Sequence, residues 1–159
     1  MSVAVRAATP ADTPLILSFI RELAEYERLL HEVEMTEADL RRDLFGENPR
    51  AFCDIAEHDG QPVGFALWFY NYSTFRGRAG IYLEDLFVKP EARGVGAGKA
   101  LLRCLARRCI DADLGRLEWA VLNWNAPSIA FYDSLGASKK DDWTVRRLDG
   151  EALERLATS

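Results

Sequence analysis

The segment from Tyr82 to Lys99 limits the possible folds more than any other part of the chain. Tyr82 to Val88 is apolar apart from the pair Glu84-Asp85 and reads as a buried strand. Lys89-Pro90 breaks it, and Gly94, Gly96 and Gly98 follow at every second position. From Ala97 onward, Leu101, Leu105 and Ile110 carry helical spacing. A glycine-rich loop between a strand and a helix turns backbone N–H groups, and the positive end of the helix dipole, toward an anion. Glycine suits it because such loops visit positive φ and let a ligand come close to the backbone. Two common nucleotide loops do not fit. A P-loop needs Gly where Arg93 stands and a hydroxyl after Lys99, where Ala100 stands. A dinucleotide fingerprint needs Gly-x-Gly-x-x-Gly early in a βαβ unit, whereas these glycines lie past mid-chain with the wrong spacing. The bland alternative is a glycine-rich turn without a ligand.

Composition narrows the class. At 159 residues, 48% hydrophobic and 28% charged, the chain reads as one globular domain spanning 1–159. A net charge of −5 argues against a nucleic-acid surface and favours small cationic partners. No apolar run approaches the roughly 20 residues that span a bilayer, and the N-terminus lacks a signal-peptide pattern. A cytoplasmic protein that meets no membrane is the expectation. Cys53, Cys104 and Cys109 are odd in number and without metal-ligand spacing, so reduced thiols in or near the core are expected. His31 and His58 stand alone in polar stretches, which gives no basis for a metal site or a histidine triad.

The coarse element order is β-α-α-β-β-β-α-β-α-β, a mixed, mostly antiparallel α/β sheet with helices on both faces. Val3 to Arg6 opens it as a strand. Thr9-Pro10-Ala11-Asp12 and Thr36-Glu37-Ala38-Asp39 are helix starts, each with a capping hydroxyl and an acid three residues later. Phe52–Glu57 and Val63–Tyr70 pair around His58-Asp59-Gly60-Gln61. Ile81–Val88 is the central strand and Leu117–Leu122 another; Pro127–Leu135 is a helix stopped by Gly136. Trp143–Leu148 reads as a last strand and Glu151–Ala157 as a terminal helix. Alternation along the central strand puts Tyr82, Glu84, Leu86 and Val88 on one face, and Ile81, Leu83, Asp85 and Phe87 on the other. A bulge would change this. A carboxylate pair inside an apolar strand is costly unless satisfied or used, which makes Glu84 a candidate base and Asp85 an even choice between structural and functional duty.

Arg93-Gly94-Val95-Gly96-Ala97-Gly98 also fits [Gln/Arg]-x-x-Gly-x-[Gly/Ala], and so resembles the acyl-CoA pyrophosphate loop of the GNAT superfamily of N-acetyltransferases. Asn125-x-x-Ser128-x-x-x-Tyr132-x-x-x-Gly136 agrees with that likeness. Four segments bring it closer: Glu22-Leu23-Ala24-Glu25-Tyr26-Glu27, Tyr82 to Val88, Trp124-Asn125-Ala126-Pro127-Ser128 and Phe131-Tyr132. Together they resemble the diamine (spermidine/spermine) N-acetyltransferases over nearly the whole chain. The resemblance implies the GNAT fold, with the parallel pair Ile81–Val88 and Leu117–Leu122 splayed around acetyl-CoA. It implies acetyl-CoA contacts at Leu86, Phe87, Val88, Arg93, Gly94, Val95, Gly96, Ala97, Gly98, Lys99, Asn125, Ala126, Pro127, Ser128 and Tyr132. It implies that Tyr132 is the acid and Glu84 the water-linked base, that Tyr26 and Glu27 touch the amine, and that the protein is a homodimer. No metal is implied.

The chemistry asks for such groups. A primary ammonium has a pKa near 10.4, so at pH 7 only about one molecule in 2,500 is neutral. A positioned carboxylate lowers that barrier, and a phenol protonates the departing thiolate. Tyr72-Ser73-Thr74-Phe75-Arg76-Gly77 replaces the acid-Pro-Trp segment of polyamine-specific members and resembles the thialysine Nε-acetyltransferase branch. Arg76, facing the groove, would attract the α-carboxylate of a lysine-like amino acid. The expected activity is acetyl-CoA-dependent N-acetylation of a small diamine, polyamine or lysine-like amino acid. A non-catalytic acyl-CoA sensor and a peptide-lysine acetyltransferase are the alternatives.

Overall fold

Local signals set most of the elements. In the computed structural model, which describes residues 2–159, Thr36 caps helix α2 (Glu37–Phe45) reciprocally. Asp39 N–H donates to Thr36 Oγ1 at 3.2 Å, and Thr36 N–H donates to the Asp39 carboxylate at 2.9 Å. At the first helix start, Thr9 N–H donates to Asp12 at 2.7 Å, and a short 3₁₀ turn leads into α1 (Thr13–Tyr26). Gly46 ends α2 with ordinary φ; a Cβ there would lie 2.5 Å from Arg42 O, so close approach selects the glycine.

One five-stranded sheet runs in sequence order: β1 (Val3–Ala7), β2 (Phe52–His58), β3 (Gln61–Ser73), β4 (Arg78–Val88) and β5 (Leu117–Trp119). The first four pair antiparallel, and β5 joins β4 in parallel. Asp59 and Gly60 turn the β2–β3 hairpin at φ of 51° and 81°, the two-residue geometry expected there. The β3–β4 hairpin turns through Thr74–Gly77.

Helices cover both faces. On one, Ile16, Phe19 and Leu23 of α1 and Leu40 and Leu44 of α2 pack against Cys53, Ile55, Phe65, Leu67 and Phe87. Each large side chain so buried contributes roughly 1.5–3 kcal/mol. The other face carries α3 (Ala97–Asp111), whose Leu101, Leu105 and Cys109 are buried. Ile110, expected to face inward, is 73% exposed, because the buried stripe follows the i+4 row to Cys109. All three cysteines are free thiols, two of them buried.

Two features of β4 depart from simple alternation. Its register with β3 passes from Leu67↔Asp85 to Trp68↔Leu83, so Glu84 is an extra, bulged residue. Below the bulge Ile81 and Leu83 face the α3 side, opposite Tyr70 and Trp68; above it Asp85 and Phe87 face the α1 side, opposite Leu67 and Phe65. The expected grouping of Ile81, Leu83, Asp85 and Phe87 is therefore split. Pairing with β5 also stops after Ile81↔Leu117, Tyr82↔Glu118 and Leu83↔Trp119. β5 ends at Trp119 rather than Leu122, and Glu84 to Val88 lacks a ladder on that side among the described residues.

The chain divides into two compact units, Met1–Leu122 and Asn123–Ser159. The second holds α4 (Ala126–Ser134) and α5 (Gly150–Ala157). The expected strand Trp143–Leu148 does not form. Its unit has no strand to give it a ladder, and Trp143 and Val145 are 78% and 87% exposed.

Candidate active site

The bulge gathers acid. Glu84 sits at the bulge, Asp85 follows it, and Glu27 closes the C-terminus of α1. Arg28 turns the chain there with φ of 62°, and Leu29 N–H returns to Ala24 O at 2.7 Å. An acid at a helix C-terminus is the wrong sign for the dipole, so its placement is not explained by helix stability. Burial first, then the charges of Glu84 and Glu27, push the Asp85 carboxyl up to about 7. Burial, then Glu84, also raises Glu27. The Tyr82 phenol is raised by burial, then Glu84, then Glu118. No Lys, Arg or His among the described residues forms an ion pair with Glu27, Glu84 or Asp85. Three interacting carboxylates without a counter-charge complement an ammonium group.

Beyond the strand, the loop has the conformation its glycines foretell. Gly94 and Gly96 sit at φ of 90° and 92°, with open space where a Cβ would stand. Gly96 caps α3 without any side-chain cap, and the first helical donor is Ala100 N–H, to Gly96 O at 2.9 Å. The preceding N–H groups, of Ala97, Gly98 and Lys99, belong to the turn that has no intrahelical acceptor. Lys99 adds a cation to that first turn. Such a terminus suits a phosphate. Arg93 donates from Nε to Val88 O at 3.1 Å, and its guanidinium lies 5.1 Å from the Tyr26 ring centroid. It therefore ties the loop to the end of α1 and occupies the last carbonyl of Leu86–Val88, a stretch laddered to β3 but not, among the described residues, to β5.

In the second unit Asn125 is buried and caps α4, its Oδ1 accepting from Ser128 N–H at 3.4 Å. Pro127 lies in the first turn beside Ala126. Tyr132 stands on the last turns of α4, its ring 5.6 Å from that of Phe131, and its carbonyl takes Leu135 N–H and Ala137 N–H. Asn125, Ala126, Pro127, Ser128 and Tyr132 thus share one short helix and its cap.

Arg76 does not join the carboxylates within its own chain. It lies in the β3–β4 turn, at the other end of β4, and donates to Gly115 O at 3.3 Å. The run from Arg78 to Glu84 alone is about 20 Å at roughly 3.3 Å per residue. That is too far for one lysine-like molecule to touch both Arg76 and Glu84. Sequence reasoning also gave Asp85 less weight than its surroundings warrant. The available signal was a second acid within an apolar strand, but its burial depends on the bulge.

Comparisons with known proteins place the chain in a family. The model of the acetyltransferase (GNAT) family matches residues 16–137. The thialysine N-epsilon-acetyltransferase of Sus scrofa is 42% identical over 167 residues, covering 98% of each chain. Spermidine/spermine N(1)-acetyltransferase-like protein 1 of Homo sapiens is 37% identical over 163 residues, covering 96% of this chain and 23% of that one. An integron cassette protein from the mobile metagenome of V. cholerae superposes with a TM-score of 0.82 at 29% identity, covering 100% of this chain and 99% of the other. Likeness of this extent carries fold and reaction class together: the chain is an N-acetyltransferase and belongs to the acetyltransferase (GNAT) family.

Proposed function

We propose that this enzyme moves the acetyl group of acetyl-CoA to the side-chain amine of a lysine-like amino acid, with diamines and polyamines as poorer acceptors. The observation that carries it is the mutually interacting cluster Glu27–Glu84–Asp85, with which no Lys, Arg or His forms an ion pair among the described residues. Acetyl-CoA supplies an activated thioester. Gly94 to Lys99 would hold its pyrophosphate on backbone N–H groups, Leu86 to Val88 its pantetheine arm, and Asn125 to Ser128 further amide contacts. Glu27 and Tyr26 would position the ammonium. Glu84, through a water, would take one proton from it, leaving a lone pair to attack the thioester carbonyl carbon. A C–N bond would form as the C–S bond breaks, the Tyr132 phenol would give its proton to the departing sulfur, and the second proton shed by the nitrogen would restore the phenol, leaving the neutral amide and the CoA thiol. The two units would work as a single acetyltransferase domain within a cytoplasmic homodimer that needs no metal.

A second assignment of the base is favoured by one observation. Burial, then the charges of Glu84 and Glu27, push the Asp85 carboxyl up to about 7, close to the pH at which a general base is most effective. Asp85 would then take the proton, with Glu84 anchoring the cation.

Release of free thiol from acetyl-CoA, followed with thialysine, ornithine, spermidine and a lysine peptide, tests the proposal. Fastest release with an amino acid is expected. Release with none of the four would favour an acyl-CoA sensor, and release with the peptide alone a protein-lysine enzyme.

A further inference from the structure

We infer that Arg116 and Glu118 form the specificity-determining pair that reads the α-carboxylate and α-ammonium of an amino-acid acceptor whose ω-amine lies at Glu27, Glu84 and Asp85. The inference rests on the proposed acetyl transfer at those carboxylates. It gives the carboxylate-reading duty to a residue other than Arg76.

The pair is built on the sheet rather than hung from a loop. Arg116 O accepts Ile81 N–H at 2.9 Å, and Glu118 stands in register beside Tyr82. Arg116 Nε and Asn71 Nδ2 both contact Glu118 Oε1 at 3.1 Å. Both side chains remain about two-fifths exposed, at 37% for Glu118 and 40% for Arg116. Gly80 makes room beneath them. A Cβ there would lie 2.8 Å from Arg116 O and from Asn71 Oδ1, and 3.4 Å from Arg116 Cγ.

The spacing suits one ligand class. Tyr82 links the two groups: its phenol feels the charges of Glu84 and Glu118 alike, and its ring packs 5.3 Å from Phe69. From the level of Tyr82 and Glu118 to Glu84 is two residues, or about 7 Å along the strand. The ω-nitrogen of a lysine-like amino acid lies roughly 6 Å from its Cα when extended, by ordinary bond lengths. An amino-acid head group carries an anion and a cation on one carbon. Arg116 offers a planar fork to the first and Glu118 a half-exposed carboxylate to the second. A diamine or polyamine has only cations to present, and Arg116 repels the far one.

The test compares thialysine with bis(2-aminoethyl) sulfide, the same chain without the α-carboxylate, in the parent protein and in Arg116→Gln, Arg116→Lys and Glu118→Gln. The parent is expected to prefer thialysine. Arg116→Gln should raise its KM about tenfold or more while kcat stays within about twofold and the diamine's KM is unchanged or lower. Arg116→Lys should restore part of the loss, and Glu118→Gln should weaken both amines. Equal effects of Arg116→Gln on both acceptors, or none, would overturn the inference while leaving acetyl transfer intact. A parent that prefers the carboxylate-free diamine would overturn it even if no variant folds. A parent that releases thiol with neither amine would overturn the acetyl-transfer proposal as well.

Discussion

Strand β4 has two halves that differ in almost every physical respect. From Arg78 to Leu83 it is laddered to β3, and over Ile81–Leu83 also to β5; Ile81 and Leu83 are 0% and 2% exposed. From Glu84 to Val88 it is laddered, among the described residues, on one side only, and it opens with two acids. The first half satisfies its backbone and buries hydrocarbon, as a structural strand does. The second keeps donors and acceptors on one edge and places uncompensated charge beside them. One residue divides them, the bulged Glu84. The proposed chemistry falls in the open half and the buried hydrocarbon in the closed one, so substitutions on either side of the boundary should separate turnover from stability.

The largest effects fall on turnover. Tyr132→Phe and Glu84→Gln should each lower kcat at pH 7 on the order of 10²–10⁴, with the melting temperature nearly unchanged. For Glu84→Gln the ratio to the parent should recover at high pH, where free amine is abundant. Parallel pH–rate profiles would move the base to Asp85. Next in size is Leu83→Ala, one residue before the bulge. It should cost about 2–5 kcal/mol of stability, read by urea unfolding, while the folded fraction keeps its kcat. Lost kcat in folded Leu83→Ala would erase the division. Gly96→Val forces a branched residue to positive φ and crowds the anion site. Calorimetry should show acetyl-CoA affinity falling tenfold or more, at least ~1.4 kcal/mol.

The smallest effect concerns pH. The folded Asp85 carboxyl holds its proton up to about 7, against 3.8 as its ordinary value. Between those pH values the folded state binds more protons than the unfolded, so stability falls as pH rises through that window. Asp85→Asn removes the penalty. It should match the parent near pH 4 and exceed it above pH 7 by on the order of 1 kcal/mol, the partial exposure of the site limiting the gain. Thermal melts at pH 4, 6 and 8 measure it. A gain that is equal at all three would show that Asp85 is not the titrating group.

Local chemistry was the legible part of this chain. Capping pairs at Thr9 and Thr36, the Asp59-Gly60 turn and the glycines before α3 act over a few residues, and each formed as its residue types require. Features that depend on a partner were not legible. The bulge at Glu84 is set by the register of β3, so alternation along β4 alone placed Asp85 with Leu83, which in fact faces the opposite side. Trp143–Leu148 has strand composition but no strand beside it in its unit. The residue type of Arg76 suits a carboxylate, but the length of β4 carries it away from the acids. The motif around Glu84, the glycine loop and Tyr132 pointed to the family, which the full-length relatives bear out.

The division of β4 is tested most directly by amide chemical shifts during titration with acetyl-CoA. Shifts should concentrate at Leu86 to Val88 and at Gly94 to Lys99, while Ile81 and Leu83 stay in place. Shifts confined to the closed half, or clustered instead around the separate 340 Å³ cavity lined by Phe52, Trp68, Tyr70 and Arg108, would contradict the account.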